Sequence, residues 1–214
     1  YAPPSGTAQG IGAFYEVQTN GSLSSVAVKN NLADWDQVVT GDFNGDAFAD
    51  VLFANFGTRS GQFYSTNGKG GLTLLANSGS WWSGWDVIVP GKFNADGLTD
   101  LLFVDLSGGI AAAQASNGSG GMTQISFTDT LPKTWDAVIP GNFNGDAFTD
   151  LLFVDYSTGT GSFYTTNGTG AMTLLRTYTN WYTGWDAVVP GNFNGDTLTD
   201  LLFVDYSAGI AAYN

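Results

Sequence analysis

The chain has 214 residues, a formal net charge of −13, and neither cysteine nor histidine. The lack of both residue types excludes disulfides, thiol nucleophiles, imidazole proton relays and zinc sites built from cysteine and histidine. The six Lys and Arg residues stand singly, so we expect no nucleic-acid partner, which would require clustered cations. No apolar run reaches the ~18 to 20 residues of a membrane-spanning helix, so we expect no membrane span.

A repeat of 50 residues organises the sequence, because Trp-Asp pairs begin at residues 35, 85, 135 and 185. In the third repeat, β-prone runs at 136–140, 151–156, 162–166 and 171–175 are separated by turn residues. Asn-Gly between the third and fourth runs is typical of a tight hairpin, so we interpret the glycosylation-type sequons there as turns. Runs such as LLFVD are apolar throughout, which indicates burial of both faces.

These units predict an all-β fold, a β-propeller of about four four-stranded blades. We expect a single domain over residues 1–214, with repeats at about 35–84, 85–134 and 135–184, and with 185–214 completed by 1–34. Both chain ends align with third strands of a blade. Two arrangements remain open, a self-closed ring and a segment of a larger ring that a longer parent or another chain completes, the latter giving a homo-oligomer.

A loop rich in Asp and Asn follows the first strand of each repeat. Oxygen-bearing side chains occupy positions 1, 3, 5 and 9 of the loop 42–50, and the later loops keep this spacing except for Lys92 at position 1 of the second. A hard cation such as Ca²⁺ takes six to eight oxygen ligands from a short loop of this kind. The predicted metal ligands are Asp42, Asn44, Asp46, Asp50, Asn94, Asp96, Asp100, Asn142, Asn144, Asp146, Asp150, Asn192, Asn194, Asp196 and Asp200.

The sequence therefore predicts up to four structural Ca²⁺ sites, with the second loop weakest because lysine cannot ligate a cation. The alternative is that Asn, Gly and Asp form Asx-turns without a metal. Four bound dications would offset part of the net charge of −13, which gives the acidity of the chain a cause.

The DxNxDxxxD loop followed by an apolar strand resembles the FG-GAP blade of integrin α-subunit propellers. The longer unit, GxGxFYxTNGxGxMTLL followed by WxxxWDxVVPGNFNGDxxTDLLFVD, resembles more closely the propeller lectins of the Psathyrella velutina lectin type and their bacterial relatives, over about residues 10–214. The resemblance implies an extracellular, secreted protein with calcium in the blade loops and monosaccharide sites between neighbouring blades. The chain departs from the pattern in its number of repeats and in the Asn and Lys residues at position 1.

Aromatic residues precede the Trp-Asp pair in two of the four repeats. Trp81 and Trp82 lie before the second pair, and Trp181 and Tyr182 lie before the fourth, whereas the equivalent stretches of the other repeats lack aromatics. Aromatic faces stack on the C–H face of a pyranose, so we expect these four residues to bind sugar. Packing against the blade and contact with a protein partner are the alternatives.

The distribution of the aspartates bears on whether the chain is an enzyme. Of the 18 aspartates, 16 recur within the repeat and only Asp34 and Asp129 fall outside it, whereas a catalytic carboxylate is expected to be singular. The sequence thus predicts that the chain is not an enzyme. It predicts a calcium-stabilised lectin with repeated glycan sites at blade junctions, and the alternative is a structural or adhesive protein-interaction propeller with purely structural calcium.

Overall fold

The computed structural model describes residue 10, residues 12–29 and residues 34–213. All regular structure in these ranges is β-strand. The seventeen strands are β1 (Gly12–Val17), β2 (Leu23–Lys29), β3 (Gln37–Gly41), β4 (Asp50–Asn55), β5 (Ser60–Thr66), β6 (Leu72–Ser78), β7 (Val87–Gly91), β8 (Asp100–Asp105), β9 (Ile110–Ser116), β10 (Met122–Thr128), β11 (Ala137–Gly141), β12 (Asp150–Asp155), β13 (Thr160–Thr166), β14 (Met172–Tyr178), β15 (Ala187–Gly191), β16 (Asp200–Asp205) and β17 (Ile210–Tyr213). Within the described ranges there is no helical segment with the length and hydropathy that a membrane crossing requires.

The strands form antiparallel sheets in simple chain order. Three sheets have four strands each, β3 to β6, β7 to β10 and β11 to β14, while β15 to β17 form a three-stranded sheet and β1 pairs with β2. The prediction of an all-β protein built from the blade sheets of a β-propeller is confirmed. The predicted single domain, its repeat bounds and the completion of the last repeat by residues 1–34 stay predictions.

The second strand of a blade is buried on both faces, as its apolar sequence predicts. β8 and β12 share the sequence DLLFVD and are buried along their whole length. Each lies between two hydrogen-bonded neighbours, so that Leu102 pairs with Val89 on one side and with Ala113 on the other. Because burial of one Leu or Phe side chain contributes about 1.5 to 3 kcal/mol, these strands supply much of the core free energy.

Two compact units are defined by their internal contacts. The first comprises the described residues of Tyr1–Ser83 with Asn117–Gly121, and the second comprises those of Gly84–Ser116 with Met122–Asn214. In the second unit, β11 contacts both β7 and β15, which brings the first strands of three successive blades together. Its core contains two clusters of buried side chains, one including Phe93 and Phe153, the other including Leu152 and Phe203.

The hairpin turn between the third and fourth strands packs on the hairpin of the preceding repeat. In the first unit, a methyl group at Gly70 would lie 2.8 Å from Cβ of Ala27, and one at Gly120 would lie 2.7 Å from Cβ of Ala76. In the second unit, one at Gly170 would lie 2.8 Å from a β9 side chain. These three glycines have φ values of 70°, 81° and 72°, so both space and backbone conformation require glycine there.

Candidate functional site

The loop that follows the first strand of the first full blade is closed by its own side chains. The carboxylate of Asp42 accepts the N–H of Gly45 at 2.6 Å and the N–H of Ala47 at 3.0 Å. Asn44 accepts the N–H of Asp46 at 2.8 Å, and its amide donates to the Asp46 carboxylate at 3.0 Å. The side chains therefore form the Asx-turn network that the sequence left as the alternative to calcium ligation.

The aspartate at position 9 ties each of the first three loops to the sheet. Asp50, Asp100 and Asp150 are completely buried. One carboxylate oxygen of Asp150 accepts the N–H groups of Phe143 at 2.8 Å and Asn144 at 3.0 Å, and the other accepts a main-chain N–H of β13 at 3.1 Å. These predicted ligands are thus structural anchors, although a carboxylate has about four acceptor positions and retains some for a cation.

Negative charge accumulates most strongly in the first loop. Burial raises the pKa of Asp50, the backbone N–H groups bound to it oppose the rise, and the charges of Asp46 and Asp42 add to it. Burial likewise raises the pKa of Asp100 and Asp150, where a single neighbouring carboxylate adds to the effect. The first loop consequently has the greatest need for a positive counter-ion.

The donor set of the loops suits a hard cation only when amide and main-chain oxygens contribute. Among the described residues there is no group of three or more His, Cys, Asp or Glu side chains that could hold a metal. The first loop, with Asp42 and Asp46 around an amide oxygen, fits Ca²⁺ best, and the lysine at position 1 fits it least in the second. At the third loop, Asn142 and Asp146 line a small cavity of about 290 Å³.

Successive loops of the second unit are joined by paired hydrogen bonds. The N–H of Lys92 donates to the Thr149 hydroxyl at 2.9 Å, and the N–H of Thr149 donates to the Lys92 carbonyl at 3.0 Å. Asn142 and Thr199 form the same two bonds, each at 2.8 Å. Position 1 of one loop is thereby fixed to position 8 of the next.

Two of the four predicted sugar-binding aromatics pack partly against their own blade. A methyl group at Gly161 would lie 2.0 Å from Cη2 of Trp181, and one at Gly61 would lie 2.4 Å from Cη2 of Trp81. Both indoles therefore cover a glycine of the third strand, and both side chains are half-buried. Leu131 holds the equivalent position in the repeat between them and is buried, so the position belongs in part to the core.

The other two predicted aromatics are exposed. Trp82 and Tyr182 are 47% and 54% exposed. The Tyr182 hydroxyl donates to the carboxylate of Asp205 at 3.2 Å, and the Tyr182 and Trp185 rings meet edge-to-face with their centroids 5.2 Å apart. The hydrogen bond to Asp205 raises the pKa of the Tyr182 phenol, so the phenol remains protonated over the ordinary pH range.

A cleft of about 620 Å³ in the second unit places Trp181 in an aromatic wall. Its sides are formed by β13 and β14 and by β16 with the fourth Asp/Asn-rich loop. Tyr178 stacks on Trp181 with ring centroids 6.0 Å apart, and Trp181 meets Phe203 edge-on at 5.0 Å. The lining side chains are Phe143, Phe163, Leu175, Arg176, Tyr178, Trp181, Leu198, Thr199, Leu201 and Phe203.

The polar groups of this cleft are few. They include the guanidinium of Arg176, the hydroxyl of Thr199 and the phenol of Tyr178, and the Arg176 Cζ lies 4.9 Å from the centre of the Tyr178 ring. Sequence reasoning found Trp181 but missed Arg176 and Tyr178. The available signal was the fourth strand of the third repeat, where Arg176 and Tyr178 replace the smaller Ala76 and Ser78 of the first full blade.

No family model matches the sequence, and no curated protein matches it. Solved structures do match the fold. A putative 6-phosphogluconolactonase from Bacteroides fragilis aligns with a TM-score of 0.55 and 14% identity over 94% of this chain and 62% of its own. A periplasmic gluconolactonase from Pseudomonas aeruginosa aligns with a TM-score of 0.56 and 15% identity over 94% of this chain and 61% of its own. The Tc holotoxin pore of Photorhabdus luminescens aligns with a TM-score of 0.62 and 13% identity over 97% of this chain and 10% of its own.

These neighbours correct one prediction. The prediction that the chain is not an enzyme is contradicted, because two structures of the same fold carry the names of lactonases. The sequence argument treated repeated aspartates and the lack of imidazole as incompatible with catalysis, yet the same architecture occurs in proteins named as enzymes. The chain spans about 62% of the length of the first of them. At these identities the likeness establishes the fold alone, and this chain has the fold of a β-propeller.

Proposed function

We propose that the chain is a calcium-stabilised carbohydrate-binding protein whose principal glycan site is the cleft between β13–β14 and β16. The observation that carries this proposal is the position of Trp181, a residue singled out for sugar binding, in the aromatic wall of that cleft. The volume of about 620 Å³ lies within the range of ~300 to 1,000 Å³ that small-molecule sites occupy.

The chemistry of the cleft suits a pyranose. A sugar ring has apolar C–H faces and a polar edge of hydroxyls, so it needs an aromatic wall together with a few hydrogen-bonding groups. Tyr178 and Trp181 provide the wall, while Arg176 and Thr199 provide hydrogen-bonding groups among the lining side chains. A monosaccharide or a terminal disaccharide is the ligand of matching size.

A second, shallower site is proposed at Trp81 and Trp82 in the first unit. Trp82 is exposed, while Trp81 donates its indole N–H to the Ser78 hydroxyl at 2.9 Å and is held in place. Single shallow sites bind sugars weakly, so firm attachment to a glycan surface requires several sites at once. Glycoconjugates with repeated terminal sugars are accordingly the proposed partners.

Calcium in the Asp/Asn-rich loops is proposed to stabilise this scaffold, with the first loop binding most tightly. Extracellular calcium modules bind at roughly 10⁻⁴ to 10⁻³ M, which matches loops that mix carboxylates and amides. A location outside the cytosol is proposed with it. The periplasmic name of one structural neighbour supports that location.

Hydrolysis of a sugar lactone is the second candidate function, favoured by the lactonase names of two structural neighbours. Addition of D-glucono-1,5-lactone to the protein, with acid release followed by pH-stat, tests it. Release above the spontaneous rate that follows protein concentration would establish this activity. A rate equal to the spontaneous one would reject it.

A glycan array in calcium buffer tests the proposed function. The wild-type chain, Trp181→Leu and Phe127→Ser are compared, since Leu131 shows that leucine fits the position of Trp181, and Phe127 is an exposed aromatic outside the cleft. We expect wild type and Phe127→Ser to bind one class of terminal sugar and Trp181→Leu to lose it. Absence of binding by folded wild-type protein would contradict the proposal and favour the protein-interaction alternative.

A further inference from the structure

The turn between the second and third strands of each blade contains one residue in the left-handed conformation. In three blades this residue is a glycine with a φ of 62° to 69°, namely Gly109, Gly159 and Gly209. In the first full blade it is Arg59, with a φ of 59°. Glycine adopts this conformation freely, whereas the Cβ of any other residue is crowded against its own backbone. The first blade therefore holds an arginine where the backbone favours glycine.

In the second unit, this position faces the linker that follows the blade. A methyl group at Gly109 would lie 2.2 Å from the carbonyl oxygen of Leu131, and one at Gly159 would lie 2.1 Å from the carbonyl oxygen of Trp181. The main-chain N–H of each linker residue donates to the carbonyl of its glycine, at 3.1 and 2.9 Å. A side chain at this position of the turn would therefore point toward the linker.

The first unit makes the same linker contact with an arginine in place of the glycine. The main-chain N–H of Trp81 donates to the carbonyl of Arg59 at 3.1 Å. The linker continues directly to Trp82, whose side chain is 47% exposed, and the side chain of Arg59 is exposed as well. A flexible cationic side chain thus begins beside the main chain of the Trp81–Trp82 pair.

Unfavourable backbone conformation accumulates around this pair. Ser80, directly before Trp81, also lies in the left-handed region, with a φ of 63°. The corresponding residues beside Trp181 are Gly159 and Asn180, two residue types that tolerate this conformation better. Backbone strain of this kind concentrates at functional sites, where the surrounding structure holds it in place. The strain on both sides of the pair indicates that the arginine is kept there for a role other than stability.

Charge indicates what this arginine selects. The chain has a net charge of −13 and only six Lys and Arg residues, so it repels anions at long range, and binding of an anionic ligand requires a local cation. A guanidinium presents a fixed fork of donors that matches the paired oxygens of a carboxylate or a sulfate. An exposed indole beside this fork suits a sugar ring that carries an acidic group.

We propose that the site at Trp81 and Trp82 takes an acidic sugar in preference to its neutral counterpart, with Arg59 pairing the acidic group and Trp82 contacting the ring. This proposal rests on the proposed function and names the class of ligand at its second site. Arg59 is then the residue that determines specificity, while the indole provides binding that is common to both kinds of sugar.

The indole N–H signal of Trp82 reports on this site separately from the cleft at Trp181. In a ¹⁵N-labelled sample with calcium, the signal is assigned by its absence from Trp82→Phe. Methyl glycosides of glucose, galactose and mannose are titrated at constant ionic strength, each as the neutral sugar, the uronic acid and the 6-sulfate, with sodium sulfate as the bare anion. The proteins are wild type, Arg59→Gly, Arg59→Lys and Lys69→Ala, the last of which removes one positive charge from an exposed hairpin turn of the same unit.

We expect an acidic form of one sugar to shift the Trp82 signal of wild type and of Lys69→Ala with an affinity at least about threefold above that of its neutral form, the scale of an exposed ion pair. Arg59→Gly should bind both forms alike and melt no lower than wild type, because glycine suits the φ of residue 59. Arg59→Lys should retain part of the preference, since it keeps the charge without the fork.

Equal affinity of wild type for the acidic and neutral forms would overturn this inference and leave the proposed function standing. An unchanged preference in Arg59→Gly would overturn it too, as would displacement of the acidic sugar by equimolar sodium sulfate, which would reduce the site to a simple anion contact. If no sugar moves the Trp82 signal while the glycan array shows binding that depends on Trp181, only this inference fails. If the array is silent as well, both proposals fail.

Discussion

The indole of Trp181 lies over the main chain of Gly161, so close that a methyl group at residue 161 would meet Cη2 at 2.0 Å. The main-chain N–H of Trp181 also donates to the carbonyl of Gly159 at 2.9 Å. The residue is thus held both at its backbone and at its ring. The ring thereby forms a rigid part of the cleft wall. Under the proposed function, a sugar stacked on this ring would lose little free energy to ordering of the protein.

Substitution of Gly161 should damage this arrangement. Gly161→Ala forces the indole or the strand to move, and overpacking of this kind costs about 1 to 3 kcal/mol in the free energy of unfolding. Gly79→Ala is the matched control, because a methyl group there would have its nearest neighbour at 3.8 Å. Urea unfolding of both variants checks the expectation, and equal stability of the two would show that the glycine is not required by Trp181.

Asp150 should be essential to the fold in a way that Asp146 is not. Asp150→Asn removes an acceptor from a buried carboxylate that binds three main-chain N–H groups, and we expect a loss of about 2 kcal/mol or more in unfolding free energy. Asp146→Asn changes an exposed side chain of the same loop and should cost less than about 1 kcal/mol in calcium-free buffer. Chemical denaturation measures both, and a larger cost for Asp146→Asn would contradict the anchoring role.

Without calcium, the contribution of Asp50, Asp100 and Asp150 to stability should fall as pH rises above the ordinary aspartate pKa of 3.8, because burial raises the pKa of these three groups in the folded state. Above 3.8 the folded chain binds more protons than the unfolded one, so this contribution is complete below 3.8 and is lost as pH rises through the raised values.

Urea titrations in EDTA across that window measure the slope, and Asp150→Asn should show a smaller fall than wild type. An identical slope in the variant would exclude Asp150 as a source. Excess calcium should flatten the fall, since a bound cation favours the ionised carboxylates.

Removal of calcium should lower the melting temperature, because the carboxylates of the first loop then repel one another without a counter-ion. Asp46→Ala should reduce calcium affinity more than Asp96→Ala, since the second loop carries Lys92 at its first position. Lys92→Asp should add affinity in the second loop. Calorimetric calcium titration measures all three variants, and identical melting with EDTA and with excess calcium would contradict calcium stabilisation.

The strands were predictable from the sequence because turn residues and apolar runs recur every 50 residues, and the runs at 151–156 and 162–166 overlap β12 and β13. The burial of Asp150 was not predictable in the same way. An aspartate at position 9 of an oxygen-rich loop is typical of a metal ligand. The three main-chain N–H groups that Asp150 accepts depend on how the strands are paired, which the loop sequence does not show.

The cleft was predictable only in part. Trp181 stood out because aromatics precede the Trp-Asp pair in only two of the four repeats, whereas the pattern of Phe163 and Leu175 is that of ordinary strand residues. Which of these side chains line the cleft depends on the meeting of two different repeats. A sequence pattern within one repeat does not contain that information.

The indole N–H signals of the seven tryptophans give the most direct test of a sugar site at Trp181. In a ¹⁵N-labelled sample, the Trp181 signal is assigned by its absence from Trp181→Leu, and the methyl glycosides of the sugar class selected by the glycan array are then titrated to millimolar concentration. The account predicts a saturable shift of the Trp181 signal, with Trp35 unchanged as an internal reference. A Trp181 signal that does not move with any of these sugars, in a folded sample with excess calcium, would contradict the proposal that the cleft is a carbohydrate site.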